Sequence, residues 1–131
     1  MIKIYHFTDK KLDKIKIAYF GHNYFTANDK KASNIKRAFF YLEQKPFEHR
    51  LKYNKYCYIA EIEKGLLYDL RQDKKGLLDR FKAKGLDIVN INALLDYIRA
   101  NYKGIIYKAG SLDIVCLFSD IKPIKRIKRE G

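Results

Sequence analysis

Apolar and polar residues alternate from the first positions of the chain. In "IKIYHF", Ile2 to Phe7, the period is two, the spacing of a strand at an edge or with one face buried. The polar stretch "TDKKLDKIK" reads as loop or a short helical turn, and "NYFT" as a short strand. From Asp29 the period lengthens. Ala32, Ile35, Ala38, Phe39 and Leu42 stand three or four residues apart and predict a helix with one apolar face. Asn28 is a candidate N-cap, Asp29 falls in the positive first turn, and Pro46 marks the helix end or the following loop.

Period two returns in "KYCYIAEIE", Lys55 to Glu63, with Tyr56, Tyr58, Ala60 and Ile62 on one face and Cys57 and Ile59 on the other. "LLYDL" predicts a short strand or extended segment. Leu77, Leu78 and Phe81 predict a short helix closed by Gly85. A second amphipathic helix carries Ile91, Leu94, Leu95, Ile98 and Tyr102, with Asn90 as a candidate cap and Gly104 shortly after its end. "GIIYK" and "DIVCLF" predict two strands joined through Ala109 to Leu112, where Gly110 suits a turn. Pro123 places the extended piece Ile121 to Ile127 at an edge. Strands at both ends with helices between them predict an α+β fold, a mostly antiparallel sheet or pair of sheets with helices packed on one side. No repeat or linker divides the 131 residues, so one domain is expected over 1–131, with a basic edge segment at 121–131.

Composition narrows the class. With 47% hydrophobic residues the chain can build a core. The longest apolar run, "IVCLF", is far too short for a membrane span, and "MIKIYHF" lacks the apolar segment of a signal peptide. A cytoplasmic protein with no membrane partner is therefore expected. Cys57 and Cys116 sit inside apolar strand-like runs and read as buried reduced thiols, with no zinc pattern around them. The net charge of +13, from 28 basic and 15 acidic residues, would attract nucleic acid or an acidic protein surface. Richness in Lys, Ile, Asn and Tyr is also what an AT-rich genome produces, so the charge reads both ways. Its densest cluster is "IKPIKRIKRE", with Lys122, Lys125, Arg126, Lys128 and Arg129.

Candidate chemistry is sparse. No P-loop, dinucleotide-binding glycine fingerprint, GxSxG elbow or HExxH occurs. Of the three histidines, His49 in "FEHRL" reads as structural or surface, whereas His6 ends a strand, where a side chain is held rigidly and still reaches a cleft. Tyr24 and Phe25 face opposite sides of their strand, with at least one in the core. Asp113 opens an apolar strand and either caps a turn in solvent or points into a pocket.

Taken in order, "YHFT", "FGHNYFTANDKKAS" and "GSLDIVCLF" resemble the ADP-ribosyltransferase superfamily, in the branch shared by diphtheria toxin and the poly(ADP-ribose) polymerases. The ending "YKGIIYKAGSLDIVCLFSDIKPIKRI" is similar to the C-terminal strand pair of small phage-encoded members, and the length is similar to that of anti-CRISPR ADP-ribosyltransferases. The resemblance implies a mostly antiparallel split sheet flanked by two to three helices. It also implies a mono-ADP-ribosyltransferase that moves ADP-ribose from NAD onto a protein, nucleoprotein or nucleic acid, in a phage or mobile-element counter-defence role.

Within that resemblance His6 would hydrogen-bond a ribose hydroxyl of NAD, the backbone at Phe7 would hold the nicotinamide amide, and Thr8 would support the His6 loop. Gly21 would allow close approach, Tyr24 would stack on the nicotinamide, and Phe25 would face the core. Asp113 would stabilise the oxocarbenium-like charge as nicotinamide leaves. Lys36 and Arg37, on the helix predicted from Asp29, are the expected phosphate clamps. The chain departs from the family at three positions. Phe7 stands where a glycine is usual and would narrow the nicotinamide slot. Asp113 is one methylene shorter than the usual glutamate, and a displacement of about 1 Å costs about a hundredfold in rate. Ser111 occupies the place of the second glutamate of arginine-modifying members. These departures keep a catalytically inactive module open, one that binds nucleic acid or a nucleoprotein through its basic surface. A nuclease-type toxin using His6 or His22 as acid or base is the third reading.

Overall fold

In the computed structural model the described residues are 1–19, 35–42, 54–83 and 91–128. Eight strands form along them: β1 (Ile2–Thr8), β2 (Ala18–Tyr19), β3 (Lys36–Tyr41), β4 (Tyr56–Ile62), β5 (Leu67–Asp69), β6 (Gly104–Ala109), β7 (Leu112–Leu117) and β8 (Lys125–Lys128). Two helices, α1 (Leu77–Arg80) and α2 (Asn92–Arg99), lie between β5 and β6 in the chain. The sheet runs in the order β5-β6-β7-β3-β1-β4-β8, with β2 added alongside β3. All neighbours are antiparallel except β5 and β6. The expected α+β class, with a mostly antiparallel sheet, is what forms.

The alternation in β4 sorts its side chains as its sequence dictates. Tyr56, Tyr58, Ala60 and Ile62 join Ile4, Phe40, Ile106 and Val115 in one core cluster. Cys57 and Ile59 join Tyr5 in a smaller cluster. A third cluster forms where α2 packs Leu94, Leu95 and Ile98 against Ile105 and Cys116. Those three helix residues are fully buried, and burial of each such side chain contributes roughly 1.5–3 kcal/mol. The hairpin between β6 and β7 turns through Gly110 at φ +62°, a left-handed conformation that glycine adopts without a Cβ penalty. As its proline predicts, the Ile121–Ile127 segment ends in an edge strand, β8, which pairs with β4. Among the described residues no helix is long and apolar enough to cross a membrane.

One predicted element is overturned where it is described. The helix expected from Asp29 is instead strand β3 over Lys36–Tyr41. This strand lies centrally in the sheet and is apolar toward both faces: Ala38 and Phe40 pack in one cluster, while Phe39 packs against the α2 cluster. A strand covered on both sides carries a continuous apolar run, and short runs of this kind match the helical period equally well. Phe39, Phe40 and Tyr41 favour the pleated alternative. Asn28, Asp29, Pro46, Gly85 and Asn90, together with the "NYFT" segment, lie outside the described residues. The N-cap of α2 is Ile91.

Candidate functional site at the fork between β1 and β3

Strands β1 and β3 pair at a single register position, Tyr5 with Tyr41. Further along, the same side of β3 pairs with β2, through Lys36 and Arg37. Between the two pairings the sheet forks, and a side chain bridges the gap. His6 Nδ1 lies 2.9 Å from the carbonyl oxygen of Phe39. A carbonyl only accepts, so Nδ1 carries the proton and Nε2 is the acceptor. Burial lowers the His6 pKa, outweighing the opposing effect of the Phe39 hydrogen bond, and so favours the neutral ring. The Phe40 ring lies against the imidazole, 5.4 Å between centroids.

His6 lines a cleft of about 830 Å³. Leu12, Ile15 and Ile121 supply its apolar wall, and Lys11, Lys14, Lys16 and Lys122 surround it, with Asp13 and Asp120 as its acids. The wall is built by a few anchors. Thr8 Oγ1 accepts the Lys10 N–H at 3.2 Å, which turns the chain out of β1. Asp9 accepts the Lys55 N–H at 3.0 Å. The Tyr58 hydroxyl accepts the Leu12 N–H and donates to the Lys10 carbonyl. Ile15 and Ile121 exchange both backbone hydrogen bonds, at 2.8 and 3.0 Å. Asp120 Oδ1 accepts the Ile17 N–H at 2.8 Å, and Oδ2 lies 3.5 Å from Lys14 Nζ. The Ile17 hydrogen bond, helped by the charges of Lys14 and Lys16, holds the Asp120 carboxyl below its usual pKa, so it is ionised in this cleft.

Asp113 is placed elsewhere. Arg71 forms a two-pronged contact with Asp69, at 2.9 and 2.7 Å, and its Nη1 lies 3.3 Å from Asp113 Oδ1. The latter is a charge contact without good hydrogen-bond geometry, since Asp113 Oδ1 is buried without a hydrogen-bond partner of its own. Leu42 N–H donates to the Asp113 carbonyl, so Asp113 stands level with the residue before Tyr5 in β1. It is thus two strands across and two residues along from His6, roughly 10 Å by 7 Å, and it does not line the cleft.

The other expected site residues divide. Thr8 supports the loop that leaves His6. The Phe7 side chain faces the side of the sheet opposite His6, 5.6 Å edge-to-face from the Tyr41 ring, so it does not narrow the His6 cleft. Lys36 and Arg37 stand on β3 rather than on a helix; Lys36 is exposed, whereas Arg37 is only 2% exposed, with its guanidinium 5.5 Å from the Phe39 ring centroid. Gly21, Tyr24, Phe25, His22 and His49 lie outside the described residues. Among the described residues the aromatic ring set beside His6 is that of Phe40. Sequence reasoning missed Tyr58, Asp120 and the lysine surround. Their one linear signal was the lysine-rich stretch after Thr8, and it gave no hint that Ile17 meets Asp120, 103 residues away.

Both cysteines are free and buried, and burial pushes each thiol pKa up to about 12, which leaves them unreactive at neutral pH. No cluster of His, Cys, Asp and Glu among the described residues could hold a metal ion. Compared with protein-family profiles, with curated proteins and with solved structures, the chain matches none.

Proposed function

We propose that this chain is an NAD-dependent mono-ADP-ribosyltransferase acting on a macromolecular target, in phage or mobile-element counter-defence. The observation that supports it is His6 at the fork of a mostly antiparallel sheet, ring-anchored through Nδ1 and lining a lysine-surrounded cleft. The residues fit a dinucleotide. A volume of about 830 Å³ lies within the range of small-molecule sites. Nε2 of a neutral His6 accepts from a ribose hydroxyl, lysines meet a diphosphate, and the partly exposed Leu12 and Ile121 face a flat ring. When bound, NAD supplies an ADP-ribosyl group with nicotinamide as the leaving group. An ionised carboxylate then stabilises the positive charge that develops at the ribose carbon. Asp113 has that role by resemblance, whereas Asp120 is the oriented carboxylate in the cleft itself.

Incubation with labelled NAD and host extract tests the proposal. Labelled macromolecular product is expected, with loss of about a hundredfold or more in His6→Ala and in one of Asp113→Asn or Asp120→Asn. No product from the wild-type protein, or product indifferent to all three changes, sinks the reading.

The hold of Arg71 on Asp113 favours a second reading, a module that keeps the fold and has lost catalysis. It predicts NAD-independent binding to a polyanion with no transfer.

A further inference from the structure

We propose that the macromolecule docking beside the cleft is a nucleic acid, held by its phosphates along β8 and across the lysines around the cleft. The inference deepens the transferase reading, on which it rests for the statement that the docked molecule is the acceptor.

The strip is continuous. Lys125, Arg126 and Lys128 are all exposed on edge strand β8. Arg126 and Lys128, opposite Tyr58 and Tyr56, lie on the cleft face, and Lys125, opposite Ile59, lies on the other face of the edge. Alternate residues of a strand are spaced roughly 7 Å apart, comparable with consecutive phosphates of one nucleic-acid strand. Arg126 is the register partner of Tyr58, and the Tyr58 hydroxyl bonds the backbone of Lys10 and Leu12. The segment carrying the cleft lysines therefore lies against the same tyrosine that Arg126 flanks. On the other side, the Ile15–Ile121 bridge brings Lys122 to these lysines. Of the two acids at the cleft, Asp120 is offset by Lys14.

Neither edge protection nor an acidic protein partner accounts for this strip. Lysines on an edge strand discourage edge-to-edge pairing, but that does not require charge to continue off the edge onto the cleft. An acidic protein surface would require apolar or aromatic anchors at the centre of its interface. The strip offers Ile124 at 60% exposure, while Tyr56 and Tyr58 are 8% and 1% exposed. Arg126 and Lys55 lie over the Tyr56 ring, at 5.4 and 5.6 Å. A surface of cations with covered aromatics suits a polar, strongly positive interface with nucleic acid.

The test is fluorescence anisotropy with a short labelled DNA duplex of mixed sequence, titrated between about 50 and 200 mM salt. Linear loss of log affinity with log salt is expected, and Lys125→Gln/Arg126→Gln/Lys128→Gln should make the slope shallower by about 2 to 3, since each lost phosphate contact removes about 0.9. A control with the same charge change, Lys74→Gln/Lys82→Gln/Lys103→Gln, lies toward the β5–β6 end of the sheet and should keep most of the slope. Equal loss in both triples assigns the binding to net charge alone and overturns the strip. Displacement by polyglutamate as effective as by unlabelled duplex assigns it to acidic protein and also overturns it. If the first triple does not fold, Arg126→Gln and Lys128→Gln singly should each reduce the slope by about 0.9, and unchanged slopes overturn the proposal. NAD binding by calorimetry on the same proteins separates the two readings. Intact NAD binding without duplex binding sinks the docking strip alone. Intact, strip-dependent duplex binding without NAD binding sinks the transferase alone.

Discussion

His6 and Phe39 are joined across the gap between β1 and β3: the imidazole Nδ1 donates to the Phe39 carbonyl at 2.9 Å. A backbone acceptor at a fork in a sheet is thereby satisfied by a side chain, and the ring is held in one tautomer beside the cleft. The same anchor sets how the protein responds to acid. Burial depresses the folded-state pKa of His6 below 6.5, so near that pH the unfolded chain binds more protons than the folded one. The His6 contribution to stability is complete above about 6.5 and is lost as the pH falls through the depressed folded value. Melting curves from pH 7.5 to 5 should show the wild type losing more stability than His6→Gln, which has no titrating ring. Parallel losses in the two proteins would reject a buried neutral His6.

Tyr58 is the post on which the cleft wall leans. It is 1% exposed, and its hydroxyl accepts the Leu12 N–H and donates to the Lys10 carbonyl. Tyr58→Phe leaves both backbone groups without that partner, at a cost of about 1–3 kcal/mol in urea unfolding. It should also weaken NAD binding several-fold by loosening Lys11 and Leu12. Unchanged binding in a destabilised variant would show that the wall does not position a ligand.

Arg71 lies between two partly buried carboxylates, with side-chain exposures of 15% for Asp69 and 14% for Asp113. Its hydrogen bonds are the main reason that the Asp69 carboxyl sits below the usual value of 3.8. Arg71→Ala should destabilise the fold by about 1–3 kcal/mol at pH 7, because charges are left without their partner. The sign of the pH dependence follows from the depressed carboxylate. Its stabilisation is present above 3.8 and is lost as the pH falls below that through the depressed folded value, so the penalty seen at pH 7 in Arg71→Ala shrinks only below 3.8, toward about pH 3. Chemical denaturation at the two pH values measures this. If instead the variant transfers ADP-ribose faster, the contact with Asp113 restrains catalysis.

Gly104 opens β6 where a side chain has no room. A Cβ there would lie 2.3 Å from the Cys116 carbonyl oxygen and 3.0 Å from the Leu67 side chain. Backbone cannot yield as a flexible side chain does, so Gly104→Ala should cost at least about 1–3 kcal/mol in the denaturation midpoint. Gly65→Ala meets nothing within 4 Å and should be close to neutral. Equal costs would mean that the β5–β6–β7 packing is looser than described.

How legible the fold was depended on how each element is covered. Strand β4 and helix α2 were readable because their two faces differ in polarity or packing, and a period survives in the residues. Strand β3 was not readable, since burial on both faces erases the period and leaves a run such as Ala38-Phe39-Phe40 that fits either structure. The candidate site divides along the same line. His6 was legible as a rigid residue at a strand end, and Thr8 as a turn former. Asp120 was not, because its value depends on Ile17, which it meets only once β7 and the segment after β1 are folded together.

By itself the sequence determined the α+β class, the faces of β4 and α2, the Gly110 turn, the burial of both cysteines and the basic character of the last strand. Each of these follows from local propensity, polarity or volume along a few consecutive residues. Only the tertiary structure decided which strands are neighbours, that Arg37 is buried while Lys36 is exposed, that Phe7 faces away from His6, and that Asp113 answers to Arg71 rather than to the cleft. The physical reason is register. Pairing Tyr5 with Tyr41 and then parting sets every side chain on β1 and β3 to one face and one row, and no local pattern encodes where two strands separate.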